Sequence, residues 1–373
     1  MGFYETCTAL QSRPLSTIMA NMHARDVEKA LLKSHLDEQD YLALLSPAAE
    51  PYLEPMAQKA HQLTIQHFGR AILLYAPLYV SDHCVNHCTY CSFSVVHDFP
   101  RKQLEPQQLE KEAALLHQAG LRHVLLLSGE SPLQASAAYF QRCVRALSTW
   151  FPSVSLEVQP LQTAEYEALA KCGVEGLTVY QEVYDPHLYA KLHLKGPKRH
   201  YRTRIDTPER ACSAGIPSVT IGALLGLGDA RTEAFTAGLH ARTLQSRYLE
   251  TAIQMAFPRI RPHLGSFQPA HPVDDRLLTQ IMLAYRLFMP ASGITLSTRE
   301  RAALRDQLLP LGVTKMSAAS STAVGGYALA SETPGQFEIS DTRTVAQVCR
   351  AIKEKGYQPV RKDGCNLYPQ ASP

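Results

Sequence analysis

The sequence predicts a closed α/β barrel of the TIM type, (β/α)8, with an N-terminal helical extension and a short C-terminal segment. Three observations carry this. From residue 71 onward, eight short apolar runs alternate with longer amphipathic stretches, the pattern of parallel strands with helices outside. The chain has 373 residues, room for a barrel of ~250 residues with extensions at both ends. The hydrophobic share is 45% and the charged share 19%, which excludes disorder, collagen-like repeats and coiled coil. An open six-stranded version of the same barrel is the alternative.

Residues 1–70 read as the extension. Val27, Ala30 and Leu31 sit at helical spacing within 26–36, and a second helix runs over 52–68 and stops at Gly69. This segment has too little apolar surface for a core of its own. The barrel occupies 71–330, with strands over 72–80, 122–128, 154–159, 176–182, 218–225, 251–257, 293–297 and 313–318. Helices over 106–118, 135–147, 165–171, 230–245 and 275–288 fit between them. Residues 331–373 read as a loop, one helix over 342–355 and a tail.

The charge balance is nearly even, 37 basic against 34 acidic residues, so no strong field argues for nucleic acid or an anionic membrane as partner. The longest apolar run, AILLYAPLYV at 71–80, is well short of the ~18–20 residues of a membrane span. No basic n-region followed by an apolar core opens the chain. A cytoplasmic protein is expected. Nine cysteines are too few for a disulfide scaffold, and three fall within eight residues, Cys84, Cys88 and Cys91. The others are scattered.

The cysteine triplet lies just beyond the first strand, and barrel chemistry sits at the C-terminal ends of strands. In SDHCVNHCTYCSF (81–93) the spacing is CxxxCxxC. Three such thiolates can take three corners of an iron–sulfur cube, leaving one iron open. A Cys3His zinc site using His83 or His87 is the competing reading, although zinc sites usually come as two separated pairs. A buried structural trio is the third.

CxxxCxxC with an aromatic before the last cysteine, Tyr90, resembles the signature of the radical S-adenosylmethionine superfamily. The resemblance implies a 4Fe–4S cluster on Cys84, Cys88 and Cys91, with S-adenosylmethionine on the open iron and Tyr90 and Phe93 near its adenine. Later strand ends agree. LLLSGE supplies Ser128, Gly129 and Glu130, similar to the family's GGE-type motif that receives the methionine amino group. LEVQPL and VYQEVYDP supply Glu157 and Glu182 for the cofactor. Arg204, in YRTRIDTPER, resembles the arginine that pairs with the cofactor carboxylate, a task suited to a bidentate guanidinium.

Narrower similarity covers almost the whole chain. LLSPAAEPYLEPMAQKAHQLTIQHFG (44–69), PLYVSDHCVNHCTYCSFS (77–94), HLKG (193–196), FPRIRP (257–262), LSTRE (296–300) and GGYA (325–328) resemble the 2-iminoacetate synthases, tyrosine lyases of thiamine biosynthesis. An arginine at the position of Arg299 then grips the amino acid carboxylate. Ser297, Ser317 or Ser320, and Tyr184 join the substrate site. Serine-rich sequence usual in strand six of the family is replaced by AIQMAFPR. The implied reaction begins when an external donor of the flavodoxin or ferredoxin type reduces the cluster. S-adenosylmethionine then gives methionine and a 5′-deoxyadenosyl radical. Hydrogen is abstracted from L-tyrosine, and Cα–Cβ cleavage yields 2-iminoacetate (dehydroglycine) and a radical fragment that becomes p-cresol after taking up one electron and a proton. Because that imine hydrolyses, handover to thiazole synthase is expected. The related maturase that makes carbon monoxide and cyanide from tyrosine carries a C-terminal CxxC cluster motif. Here the tail has only Cys349 and Cys365. A lyase on another aromatic amino acid and a biotin-synthase-like sulfur inserter are the other enzyme readings; an iron–sulfur or zinc scaffold is the non-enzyme one.

Overall fold

The structure, a computed structural model, describes residues 2–329 and 333–361. All eight anticipated strands form: β1 (Ala71–Ser81), β2 (His123–Ser128), β3 (Ser153–Glu157), β4 (Val174–Glu182), β5 (Ser218–Ala223), β6 (Ala252–Ala256), β7 (Gly293–Leu296) and β8 (Lys315–Ser317). Every barrel pairing is parallel, and β8 closes on β1 through Leu73–Lys315, Leu74–Met316 and Tyr75–Ser317. The barrel is therefore closed, and the six-stranded alternative is overturned. A ninth strand, β9 (Gln358–Val360), pairs with Ala71–Leu73. Three residues with a central proline leave no alternation to read, and proline is tolerated because the strand lies at an edge.

The interior is less apolar than in barrels filled by branched aliphatics. Tyr75, Tyr79, Leu125, Leu127, Glu157 and Tyr180 face one cavity at its upper end. Below them His123 Nε2 lies 3.0 Å from the Ser155 hydroxyl, and Gln254 Nε2 donates to Ser218 Oγ at 2.9 Å. Burial and then Lys315 hold the His123 imidazole well below its ordinary range, hence neutral.

The extension contains five α-helices: Phe3–Gln11, Leu15–Ala20, Ala24–Leu32, Glu38–Leu45 and Leu53–Phe68. The sequence pattern revealed only the third and the last. Helix Glu38–Leu45 is buried over all six residues from Asp40 to Leu45, so it has no polar face to mark its period. Its start is fixed by Asp37, whose carboxylate accepts from the Gln39 and Asp40 amides. Tyr41 stacks on Phe288 at 4.2 Å and donates to the Ala234 carbonyl, clamping the extension to two outer barrel helices. After the barrel, helix Val345–Glu354 buries Cys349; Cys365 lies outside the described residues.

Candidate active site

The cysteine loop is the connection after β1, and it is held by side chains that converge from several elements. Arg101 donates to the carbonyls of Asp82, Phe93, Ser94 and His97, all within 2.8–3.0 Å. One guanidinium thereby fixes both ends of the loop. His87–Cys88 pairs with His193–Lys195 as a short antiparallel ribbon. Gly129 donates its amide to Ser81, and a Cβ there would collide with the His83 carbonyl, so the glycine lets β2 approach the loop.

Asn86 is the junction. Its Nδ2 donates to Glu130 Oε2 at 2.8 Å, and its Oδ1 accepts from the Lys198 amide at 2.9 Å. The cysteine loop, the SGE turn and the HLKGPK loop are thus tied at one side chain. Gly196, at φ 87°, leaves no room for a Cβ beside Asn86.

Cys84, Cys88 and Cys91 are free thiols, and burial pushes each above its ordinary pKa. A thiolate here needs a bound cation to be stable. Among the described residues no three His, Cys, Asp or Glu side chains converge closely enough to hold one metal ion. Three thiolates can take three corners of an iron–sulfur cube and leave the fourth iron open. Ser128 Oγ is buried without a hydrogen-bond partner at the end of β2, an unmet demand that a polar ligand can satisfy. The donor set fits a cluster with a polar cofactor beside it.

Glu182 lies across the mouth. Its carboxylate takes Lys198 Nζ at 2.6 Å and Arg204 Nη2 at 3.4 Å, and Arg204 Nε donates to the Tyr180 carbonyl at 2.6 Å. Burial works against the Glu182 carboxylate, but Lys198 and then Arg204 outweigh it and hold the group below its usual range. Two cations share one directly bonded carboxylate, with Glu130 and Glu157 as more distant anions, and they can take a further carboxylate from a ligand. Tyr90 lies beside this group, its hydroxyl 2.7 Å from His193 Nε2, and Phe93 packs edge-on against Tyr79.

A second compartment opens from the same mouth. Glu157, Tyr180, Ser297, Arg299, Ser317, Ser320 and Phe337 share its wall. The Arg299 guanidinium carbon sits 3.4 Å over the Phe337 ring, stacked rather than salt-bridged. Ser320 Oγ is buried and unpartnered, while Ser317 Oγ accepts from the Thr298 amide at 3.0 Å. Burial raises Glu157 to about 7, against the opposing pull of Arg299. Gln336 joins the compartments: Tyr79 donates to its Oε1 at 2.7 Å, and its Nε2 lies 3.8 Å from Cys91 Sγ.

One expected residue falls elsewhere. Tyr184 points away from the mouth, its hydroxyl 3.0 Å from His240 Nδ1 and its ring edge-on to Phe3. The sheet register slips between Tyr180 and Glu182, and Glu182 has φ 71°, so the alternation that would turn 180, 182 and 184 inward breaks. Asn86, Arg101, Lys198, Gln336 and Phe337 were not identified from sequence. Only Lys198 had a signal, the glycine and basic run beside HLKG.

Comparison with known proteins agrees with this geometry. The Radical SAM superfamily profile matches residues 78–235, and that of the Biotin and Thiamin Synthesis associated domain matches 256–358. The chain is 41% identical over 350 residues to 2-iminoacetate synthase of Escherichia coli (strain K12), covering 94% of this chain and 93% of the relative. Identity to the 2-iminoacetate synthase of Salmonella typhimurium is 40% over 341 residues, covering 91% and 90%. The FeFe-hydrogenase maturase HydG from Carboxydothermus hydrogenoformans superposes with a TM-score of 0.84 at 30% identity, over 97% of this chain and 83% of that one.

Proposed function

The chain belongs to the 2-iminoacetate synthases of the radical S-adenosylmethionine superfamily, and from that premise we propose how its two compartments divide the work. The protein is a carbon–carbon lyase that cleaves the Cα–Cβ bond of L-tyrosine to 2-iminoacetate and p-cresol, a step of thiamine biosynthesis. The observation that carries the division is the pairing of a two-cation cluster at Glu182 with a separate arginine-lined cavity at Arg299. When bound, the 4Fe–4S cluster and S-adenosylmethionine supply hydrogen-atom abstraction, the cofactor ending as methionine and 5′-deoxyadenosine.

Cys84, Cys88 and Cys91 hold the cluster. Ser128, Gly129 and Glu130 receive the amino end of S-adenosylmethionine, Arg204 and Lys198 its carboxylate, and Glu182 keeps those cations in place. Tyr90 and Phe93 wall the cofactor space. Arg299 takes the tyrosine carboxylate, with Ser297, Ser317 and Ser320 as hydroxyl partners. Glu157 stands where the two compartments meet. Raised to about 7, it is poised to accept the proton that the tyrosine ammonium loses to present a neutral amine. Arg299 also orients the substrate, since a positioned reactant removes much of the entropic barrier.

Among the described residues no helix is long and apolar enough to cross a membrane, in keeping with a cytoplasmic enzyme. An electron donor is required for each reductive cleavage. Thiazole synthase is the expected recipient of the imine, because a product that hydrolyses gains from direct transfer. We further read the chain as an extension (1–70), a barrel (71–330) and a terminal segment (331–373) without a second cluster. Anaerobic reconstitution tests the assignment: roughly four irons per chain, a spectral response to S-adenosylmethionine, and p-cresol with glyoxylate but no cyanide from tyrosine. One zinc per chain would defeat it; cyanide would move the protein to the hydrogenase-maturation type.

A further inference from the structure

The cysteine loop meets solvent on an unusual face. Among the described residues nine large hydrophobic side chains are exposed, and five of them, Val85, Val95, Val96, Leu194 and Leu264, lie on the segments that enclose the cluster loop. They are linked in space. The Val95 amide donates to Asn86 at 2.8 Å, Leu194 lies on the ribbon that pairs with His87–Cys88, and the Leu264 amide donates to Ser92 Oγ at 2.9 Å. A monomer surface seldom gathers apolar side chains in this way without a partner.

Charge distinguishes this face as well. Residues 83–102 and 191–202 contain seven lysines and arginines against one acid, Asp98; of the seven, Lys198 and Arg202 are paired with acids and Arg101 is bonded to the loop's own carbonyls. Lys191, Lys195 and Arg199 are exposed and make no ion pair among the described residues. Cys88 is itself on the ribbon that carries Leu194 and Lys195, so this face is the short way to the cluster.

We propose that the Val85–Val96 loop and the His193–Lys195 strand together form the docking surface for a small acidic one-electron donor protein. The apolar residues supply the dry centre of the contact and the basic rim steers the acidic partner to it. One electron leaves the donor, which is oxidised, and enters the cluster, which is reduced; no bond forms or breaks. The inference rests on the radical reading, and its test separates the two.

The reconstituted holoenzyme is mixed anaerobically with fully reduced flavodoxin, and cluster reduction is followed by stopped-flow absorbance as salt is varied. The same samples are assayed with dithionite, which is small and needs no docking surface. Lys195→Glu and Val96→Asp are each expected to slow flavodoxin-driven reduction by about tenfold or more, with dithionite-driven p-cresol formation within about twofold of wild type. The flavodoxin rate should also fall steeply with ionic strength. Lys353→Glu, on helix Val345–Glu354, serves as the remote control and should have no effect. Equal flavodoxin rates in all variants would overturn the proposal. So would a change of oligomeric state in Val96→Asp, seen by sedimentation without a change in donor rate, which would make the face a self-interface. Loss of p-cresol with dithionite in wild type would instead defeat the radical reading itself.

Discussion

Two buried polar clusters flank the end of β4, only two residues apart in sequence, and they are built on opposite principles. At Glu182 the groups are charged: one carboxylate directly bonded to Lys198 and Arg204. Around Tyr184 they are neutral. Burial raises Glu233 to about 8 and lowers His240 to about 3, and burial likewise raises the Cys7 thiol. There most bonds close within the cluster, although His240 Nε2 is buried without a partner: the Tyr184 amide donates to Glu233 at 2.7 Å, and Tyr201 donates to the Tyr184 carbonyl at 2.7 Å. Gln11, from the first helix of the extension, donates to the same carbonyl at 3.1 Å. A cluster that neutralises itself holds the fold together. A cluster that keeps charge in the interior is costly, and a ligand can complete it.

Variants should separate these roles. Cys88→Ala has the largest expected effect: no iron retained on reconstitution and no turnover, with a circular dichroism spectrum like that of wild type. Next, Lys198→Ala leaves Glu182 with Arg204 alone. Because Arg204 still compensates Glu182, urea-measured stability without cofactor should change by no more than about 1 kcal/mol, whereas S-adenosylmethionine binding weakens. A variant with unchanged cofactor affinity would erase the contrast between the clusters. Arg299→Ala should keep iron and the spectral response to S-adenosylmethionine while tyrosine turnover falls about 100-fold, roughly 3 kcal/mol, as expected for a lost charge-assisted pair.

Glu157 gives a pH signature. Its carboxyl is raised to about 7, so it is protonated below that and ionised above. A base is useful only when ionised, so wild-type turnover should rise as pH passes upward through about 7, and Glu157→Gln should be slower with that rise removed. The stability linkage runs the other way. The unfolded chain ionises this group first, so its contribution to folding falls between about 4.5 and 7 as pH increases, and Glu157→Gln flattens that portion of a urea-versus-pH series. Smallest of all, Tyr184→Phe should cost about 1 kcal/mol for the lost bond to His240, with KM for tyrosine unchanged. A raised KM would return Tyr184 to the substrate site.

The barrel was legible because each strand is a contiguous apolar run and each linker a helical period, both local signals. Cys84, Cys88 and Cys91 were legible as a candidate site because ligands of one cluster can lie close together in sequence. Asn86 and Arg101 were not, since their task is to bond carbonyls and carboxylates of other loops, which no local pattern records. Gln336 and Phe337 reach the site from a segment beyond the last barrel strand. Tyr184 misled because strand alternation continues in sequence but stops in space at Glu182, where positive φ stores ~1–3 kcal/mol of strain beside the cofactor site.

Turnover with tyrosine, S-adenosylmethionine and dithionite, quenched and analysed for both p-cresol and 5′-deoxyadenosine, tests the division of the mouth most directly. Wild type should give roughly one p-cresol per 5′-deoxyadenosine, while Arg299→Ala should still give 5′-deoxyadenosine but almost no p-cresol. If p-cresol and 5′-deoxyadenosine fall together in Arg299→Ala, or if wild type makes 5′-deoxyadenosine without p-cresol, the two compartments do not have the roles assigned to them.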